Sequence, residues 1–264
     1  MKNNILLSLR NVIRFIFPFI VIGLFWEFLI KQGFISLKSL PAPSTLIENF
    51  WQMAVINGTL WKHFSHSIYR FIIGYSTAAI LGLIVGAILA QNKTMNVLFE
   101  PTFNLLMSVP TIAWIPIFLI TLGLGDKTVI TAIFLSSFFS IMYSTLRGIE
   151  MVDKNIVRAA KVMGLKGVRL FTRVLFPAAL VSIINGFRLA IGYAWRALVG
   201  GELLAALIEW GLGKMVYQAR YFNDAAVMMV GLLVIGFTGY LLDELFLITI
   251  EKNTIEKWGM SLKK

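Results

Sequence analysis

Six long apolar runs dominate this sequence, and each is long enough to cross a lipid bilayer as a helix. A bilayer core about 30 Å thick needs roughly 20 mostly apolar residues in helical form. Such runs occupy Val12–Ile30, Ser67–Ala90, Val97–Leu122, Val129–Leu146, Ala178–Leu207 and Ala225–Ile250. A soluble domain could not bury this much apolar surface, since 58% of the 264 residues are hydrophobic and only 14% are charged. We therefore predict an all-α, polytopic membrane protein with six transmembrane helices.

The first apolar run has some features of a secretory signal, because Lys2 and Arg10 precede it. However, the run contains Pro18 and Glu27 and lacks a small-residue cleavage pattern. We expect it to be retained as a transmembrane helix.

The formal net charge of +11 follows the predicted membrane topology rather than a nucleic-acid-binding surface. Basic residues cluster beside the apolar runs instead of lining one polar face. They concentrate before the first run, in the segment Glu150–Phe176, and after the last run. Because loops rich in Lys and Arg stay on the cytoplasmic side, we predict that both termini and this segment are cytoplasmic. We expect no nucleic acid to be bound.

Between the first two runs, the sequence predicts an amphipathic helix that lies along the outer membrane surface. Pro41 and Pro43 precede Thr45–Glu48, whose Thr and Glu have the spacing of a capping box. Apolar residues then recur at helical spacing, and Trp51 and Trp61 would anchor the segment at the interface.

The chain contains no cysteine and two histidines, His63 and His66. The histidines stand three residues apart without a third ligand nearby, so we expect polar interface residues rather than a metal site. A Gly-x4-Gly-Lys-Ser/Thr loop for nucleotide phosphates is also missing from the sequence. We therefore expect that this chain does not itself hydrolyse ATP.

Three prolines, Pro101, Pro110 and Pro116, interrupt the third apolar run. Each removes a backbone donor and clashes with the preceding turn, so we predict a helix that is kinked or partly broken. Broken membrane helices occur where neighbouring protein or a water-filled cavity satisfies the freed carbonyls. This favours a pathway-lining role for Pro110 and Pro116, with a kink used only for packing as the alternative.

Charged residues within the runs are further candidates for function, because a charge at the membrane centre costs about 2.5–3.5 kcal/mol on insertion scales. Two interpretations of Arg196 are open. It could line a pathway for an anion, with Glu202 as a gate residue, or it could pair with Glu202 or Glu209 in a structural role. For Arg70 and Asp243 we expect positions near an interface, where long side chains reach water.

The polar segment Glu150–Phe176 separates two of the apolar runs. Asp153 can cap a helix, and Gly164 can end it, because glycine adopts the left-handed backbone without a steric penalty. A second short helix is predicted before Pro177, which would open the next span. The result is a helix–glycine–helix elbow whose small residues Ala159 and Ala160 let a partner backbone approach closely.

This elbow resembles the EAA loop of permeases from bacterial ABC importers, which reads Glu-Ala-Ala-x3-Gly-x9-Ile-x-Leu-Pro. Ala159, Ala160, Gly164 and Pro177 match that pattern in register. Arg158 stands at the position of the family's Glu, which reverses the charge. The acidic contact that the family makes with its ATPase therefore does not carry over at this position.

Other segments resemble the nitrate, sulfonate and taurine branch of these permeases, in the same order along the chain. They are Leu40–Ser44, Ser108–Pro110, Gly123–Asp126, Trp195–Glu202 and the tail Glu251–Gly259. The resemblance implies a type I ABC importer permease fold with a cytoplasmic coupling loop. Residues 65–250 would form the permease core, preceded by a transmembrane helix and external segment in 1–64 and followed by a cytoplasmic tail in 251–264.

The resemblance also implies a function, namely the permease subunit of an importer for sulfonate, taurine or nitrate in the cytoplasmic membrane. Such permeases pair as two copies, here expected to be identical, and receive solute from an extracytoplasmic binding protein. They dock two ATP-binding subunits through the loop, here through Arg158, Ala159, Ala160, Gly164 and Pro177. ATP would be bound by that partner, and this chain would hold no cofactor.

Three alternatives differ in cargo or in class. The same family could import a pyrimidine or a vitamin precursor. A polytopic membrane enzyme would need a catalytic constellation at membrane depth, and an ion-coupled transporter predicts an internal repeat. Neither a constellation nor a repeat is apparent in the sequence.

Overall fold

The computed structural model describes residues 17–18, 20–34, 40–205 and 208–250. All regular secondary structure in these residues is helical, which confirms the all-α prediction. The start of the first apolar run, residues 206–207 of the fifth, and the tail from residue 251 lie outside the described residues.

Eleven helices, numbered α1 to α11, run through the described residues. They are α1 (20–31), α2 (Pro43–Trp51), α3 (Thr59–Gln91), α4 (Lys93–Ser108), α5 (Thr111–Leu122), α6 (Asp126–Glu150), α7 (Lys154–Val162), α8 (Gly167–Leu170), α9 (Phe176–Leu204), α10 (Leu212–Tyr221) and α11 (Ala225–Ile250). Short π-helical turns at Gln52–Ile56 and Phe171–Leu175 follow α2 and α8.

Four helical segments in the described residues are long and apolar enough to span a membrane. They are Thr59–Gln91, Asp126–Glu150, Gly167–Leu204 and Ala225–Leu245. Helices α4 and α5 are long and apolar enough only as a pair, and they meet at an angle of 94°, which is the geometry of a broken span or a re-entrant loop. Val109 is extended immediately before Pro110, as the proline ring requires of the preceding residue. The predicted break is confirmed, and the count of six spans stays a prediction because the first run is only partly described.

The chain divides into two compact units. The smaller unit comprises the described residues up to Lys62 together with Met215–Leu233. The larger unit comprises His63–Lys214 and the described residues from Val234 onward.

In the smaller unit, Glu27 of α1 caps the start of α2. Its carboxylate accepts hydrogen bonds from the Ser44 backbone N–H at 3.1 Å and from the Ser44 hydroxyl at 3.0 Å. The predicted capping box of Thr45 and Glu48 is wrong, because α2 begins two residues earlier, at Pro43. The first turn is instead satisfied by a carboxylate from the preceding helix.

Helix α6 is the central helix of the larger unit. Half of its apolar stretch is buried, compared with 28% in the spans that contain α3 and α9. Glycines allow the neighbouring helices to approach α6 closely. A Cβ built on Gly86 of α3 would stand 2.5 Å from the Met142 carbonyl oxygen of α6. Any side chain at this position would push the two helices apart.

Helix α9 is also fastened to the second half of α11. The Arg188 guanidinium donates two hydrogen bonds to the Asp243 carboxylate, each of 3.0 Å. The Trp195 indole N–H donates to the Ile235 carbonyl at 3.0 Å. Asp243 therefore has a specific partner in addition to its partly exposed position.

We expect Gly86→Ala to lower the free energy of unfolding by about 1–3 kcal/mol, because the new methyl group overpacks the contact between α3 and α6. The matched control is Gly192→Ala on α9, where a Cβ meets no atom within 4 Å. That change should be neutral or stabilising, since alanine favours the helix by about 1 kcal/mol over glycine. Thermal unfolding in detergent compares the two variants, and equal melting temperatures would contradict the packing argument.

Candidate functional site

Residues 153–177 connect α6 to α9 and are called the elbow below. The Asp153 carboxylate accepts a hydrogen bond of 2.8 Å from the Asn155 N–H and caps α7, as predicted. At the other end of α7, Gly164 has a φ of +87°. The Gly164 N–H donates to the Lys161 carbonyl and the Leu165 N–H to the Ala160 carbonyl, both at 3.0 Å. These two bonds form a Schellman motif, which requires a residue with a left-handed backbone.

The second half of the elbow differs from the prediction of a separate short helix. From Gly167 the chain runs as one helical segment to Leu204, without a break at Pro177. A π-helical turn makes this possible, because the Phe176 N–H donates to the Phe171 carbonyl, one residue further back than in an α-helix. The wider turn lies where the proline ring of Pro177 would otherwise crowd the preceding carbonyls.

The elbow surface combines exposed apolar side chains with positive charge. Val162, Met163 and Val168 are 88%, 74% and 75% exposed. The exposed basic residues of the elbow are Lys154, Arg158, Lys161, Lys166, Arg169 and Arg173. A surface on which apolar and basic side chains are both exposed suits contact with another protein.

The structure places the five predicted coupling residues as follows. Arg158, Ala159 and Gly164 are exposed, Ala160 is buried, and Pro177 is half-buried in the first turn of α9. Arg158 and Ala159 are therefore available to a partner, whereas Ala160 packs inward.

A second feature is a cavity of about 640 Å³ in the larger unit. It lies beside the break between α4 and α5 and is walled by α6 and α9. Among the predicted pathway residues, Pro110 and Arg196 line this cavity. Pro116 lies within α5 and Glu202 near the end of α9, and neither belongs to the lining.

The cavity wall carries several polar groups. Ser136, Ser140 and Ser144 stand four residues apart and place hydroxyl groups along one face of α6. On α9, the Arg196 guanidinium carbon lies 6.0 Å from the centre of the Tyr193 ring. In the described part of the chain, no carboxylate lies within 4.0 Å of Arg196.

A buried charge cluster at the end of α9 is the feature that sequence reasoning missed. Glu202 is fully buried, and its carboxylate accepts hydrogen bonds from Arg70 Nη1 at 2.7 Å and from the Gly213 N–H at 2.9 Å. The Ser67 hydroxyl lies 2.8 Å and 2.9 Å from the two carboxylate oxygens. Arg70 Nε donates to Asp126 Oδ1 at 2.7 Å. The cluster ties α3, the start of α6, the end of α9 and the start of α10 together.

This cluster corrects two of the expectations. The Arg70 side chain does not reach water, because it is only 2% exposed and is paired with Glu202. Glu202 is also not the structural partner of Arg196, since its carboxylate is occupied by Arg70, Ser67 and Gly213. Glu209 is exposed and makes no ion pair with Arg196. Both structural pairings considered for Arg196 are thus wrong.

His63 belongs to the same region of the larger unit. Its ring packs edge-on against Trp210, with 4.9 Å between ring centres, and its Nδ1 lies 2.8 Å from the Gly211 carbonyl oxygen. Within the described residues, no three potential metal ligands lie together. His63 therefore serves in packing and hydrogen bonding to the loop before α10.

Comparisons with known proteins identify a family. The model of the family described as "Binding-protein-dependent transport system inner membrane component" matches residues 78–248. The chain is 31% identical over 244 residues to the putative aliphatic sulfonates transport permease protein SsuC of Bacillus subtilis, covering 92% of this chain and 86% of that protein.

Two further relatives are similar over most of their length. The taurine transport system permease protein TauC of Escherichia coli is 31% identical over 83% of this chain and 81% of its own. The bicarbonate transport system permease protein CmpB of Synechocystis is 29% identical over 83% of this chain and 81% of its own. Among solved structures, a chain of the MetNI methionine ABC transporter in an inward-facing conformation matches with a TM-score of 0.60 and 20% identity, covering 74% of this chain and 94% of that chain. This match supports the fold alone.

Proposed function

Because the chain belongs to the family of binding-protein-dependent transport system inner membrane components, we propose that it forms the transmembrane pathway of an ATP-dependent importer for a small anion. The observation that carries this proposal is the similarity, along 92% of the chain, to a permease named for aliphatic sulfonates. Two other relatives are named for taurine and bicarbonate transport. Aliphatic sulfonates and taurine are thus the cargoes of first choice, and nitrate stays a candidate from the sequence resemblance. No specific observation favours a heterocyclic vitamin precursor.

The cavity beside the helix break supports a pathway at this position. Pro110 and Arg196 both line it, and a guanidinium suits an oxyanion because it can donate two parallel hydrogen bonds. Of the four pathway residues that the sequence predicted, we assign only these two to the pathway, because Pro116 and Glu202 lie outside the cavity lining.

The elbow is the docking site that we assign to a separate ATP-binding subunit. Its exposed apolar and basic side chains provide a surface for another protein, and Arg158 and Ala159 are accessible on it. The chain has no nucleotide-binding loop of its own, so the energy for transport would come from that subunit.

Two copies of this chain would pair in the membrane, each bound to one ATP-binding subunit, and an extracytoplasmic binding protein would deliver the solute. Both termini and the elbow would lie on the cytoplasmic side, and the positive-inside rule supports this orientation because these segments are rich in Lys and Arg.

Transport by the complete importer in liposomes tests this function. We expect accumulation of radiolabelled ethanesulfonate, taurine or nitrate that requires both ATP and the binding protein. A complex that hydrolyses ATP with its binding protein but accumulates none of the three would overturn the assignment of an anionic cargo. A chain that fails to copurify with an ATP-binding subunit in mild detergent would overturn the assignment as an importer subunit.

A further inference from the structure

In the part of the chain that the structure describes, the arginines of the spanning helices are of two kinds, those paired with a carboxylate and one that is not. Outside the elbow, α3, α6 and α9 contain Arg70, Arg147, Arg188 and Arg196. The first three make ion pairs, with nitrogen–oxygen distances of 2.7 Å, 2.8 Å and 3.0 Å. Arg196 has no carboxylate within 4.0 Å in the described part of the chain. A cation that a membrane helix carries without such a partner requires another explanation, because its placement there is unfavourable.

The position of Arg196 supplies that explanation. Leu189, Tyr193, Arg196 and Gly200 recur at three- and four-residue intervals on α9 and form one wall of the cavity. The guanidinium is exposed beside the cavity instead of being covered by protein. Within the described residues, its one cation–π contact is with the Tyr193 ring at 6.0 Å, the outer limit for such a contact. The N–H donors of the guanidinium are therefore available to a ligand.

The start of α5 adds two backbone donors to the lining. Thr111 and Ile112 begin α5 after the break at Pro110, and both line the cavity. Their amide N–H groups have no backbone or capping acceptor in the described residues. The start of a helix carries a partial positive charge, and half-helices in membranes commonly present it to anions. The break thus brings amide donors into the same cavity as the arginine.

The remaining lining fits a small solute with a polar head and a short apolar tail. The hydroxyl groups of Ser136 and Ser140 add polarity but donate to the Ile133 and Gly186 carbonyls, at 2.8 Å and 3.4 Å, so the donors for an anion are Arg196 and the backbone. Leu106, Leu135 and Phe139 supply apolar surface. The volume of about 640 Å³ falls within the range of about 300–1,000 Å³ that is usual for small-molecule sites.

We propose that the cavity between Arg196 and the start of α5 is an intramembrane binding site for the oxyanion group of the transported solute. This inference rests on the proposed function and adds to it. Recognition would not be left to the binding protein alone, because the permease itself would hold the anion during its passage. Arg196 would pair with the oxyanion, and the amides of Thr111 and Ile112 would donate hydrogen bonds to it.

The absence of cysteine from the sequence allows a test that does not depend on transport. Tyr193→Cys introduces a single thiol into this chain, one helical turn from Arg196. In the assembled complex, this thiol is labelled with one of two methanethiosulfonate reagents, the anionic sulfonatoethyl or the cationic trimethylammonioethyl compound. The increase in mass of this chain measures the extent of reaction. We expect Arg196→Gln to reduce the anionic-to-cationic rate ratio about tenfold, since a unit charge nearby changes the two rates about threefold in opposite directions.

Two controls make the labelling result specific. Arg196→Lys keeps the charge and should leave the rate ratio within about twofold of its original value. Thr94→Cys at the start of α4 is exposed and lies outside the cavity lining, and its rate ratio should not respond to Arg196→Gln. Excess ethanesulfonate should slow both reagents at Tyr193→Cys and neither at Thr94→Cys. An unchanged ratio after Arg196→Gln, or no protection by ethanesulfonate, would overturn the proposed site.

Uptake separates this inference from the function on which it rests. In liposomes, Arg196→Gln should lower anion uptake at least tenfold while ATP hydrolysis by the complex persists. If the wild-type importer accumulates anions and the Arg196→Gln variant does so equally well, the proposal of an intramembrane site is wrong and the importer function stands. If the wild-type importer accumulates none of the test anions, the proposed function fails, whatever the labelling shows.

Discussion

Glu202→Leu is expected to lower the free energy of unfolding of this protein by about 3 kcal/mol, because it leaves the Arg70 guanidinium buried without its main counter-charge. The change also removes the acceptor of the Ser67 and Gly213 hydrogen bonds. Asp126 limits the loss, since it still pairs with Arg70 from a half-exposed position. Thermal unfolding in detergent, followed by the fraction of monodisperse protein, measures the effect.

Two further variants distinguish a buried ion pair from a general sensitivity of this region. Glu209→Leu removes an exposed carboxylate from the same segment and should change the stability by less than about 0.5 kcal/mol. The double variant Arg70→Leu with Glu202→Leu should recover at least half of the loss, because no charge is then left buried alone. If the double variant loses as much as the sum of the single variants, the two side chains do not act as a pair.

Gly164→Val is expected to reduce ATP-dependent uptake at least tenfold, because valine disfavours the φ of +87° that the Schellman motif at the end of α7 requires. No atom lies within 4 Å of a Cβ at this position, so the effect would come from backbone conformation and not from a clash. Uptake in liposomes and copurification of the ATP-binding subunit measure the outcome. Both should fall together if the elbow is the docking site.

Gly164→Asn is the matched control, since asparagine tolerates the left-handed backbone and should retain most of the uptake. Ala159→Glu provides an independent variant at an exposed position, which adds bulk and a negative charge to the surface. It should weaken docking without changing the melting temperature of the isolated permease. Full uptake by both Gly164→Val and Ala159→Glu would contradict the coupling role of the elbow.

The features that the sequence predicted correctly are local ones. Pro110 disfavours a helical conformation at the residue before it, so a break near Val109 follows from two neighbouring residues. The cap at Asp153 and the stop at Gly164 likewise depend on a few adjacent residues. Periodicity and length alone locate the long apolar helices.

The features that the sequence did not predict depend on contacts between distant residues. Arg70 and Glu202 are 132 positions apart, and each charge considered alone fits an interface or a pathway equally well. The pairing becomes evident only when α3 and α9 are placed against each other. The same limit applied to Glu27, which caps a helix that begins 16 residues later, at Pro43. The continuous helix through Pro177 depends on a π-helical turn, for which the sequence carried no clear signal.

The uninterrupted segment Gly167–Leu204 has a mechanical consequence. Its 38 residues make a rod of about 57 Å, nearly twice the apolar thickness of a bilayer. Glu202 fastens one end, and Arg188 and Trp195 fasten the middle to α11. The half of the rod that lines the cavity is therefore held on several sides, while the elbow half extends beyond these contacts. A push at the elbow would reach Arg196 along one continuous helix, with no flexible connection between the two.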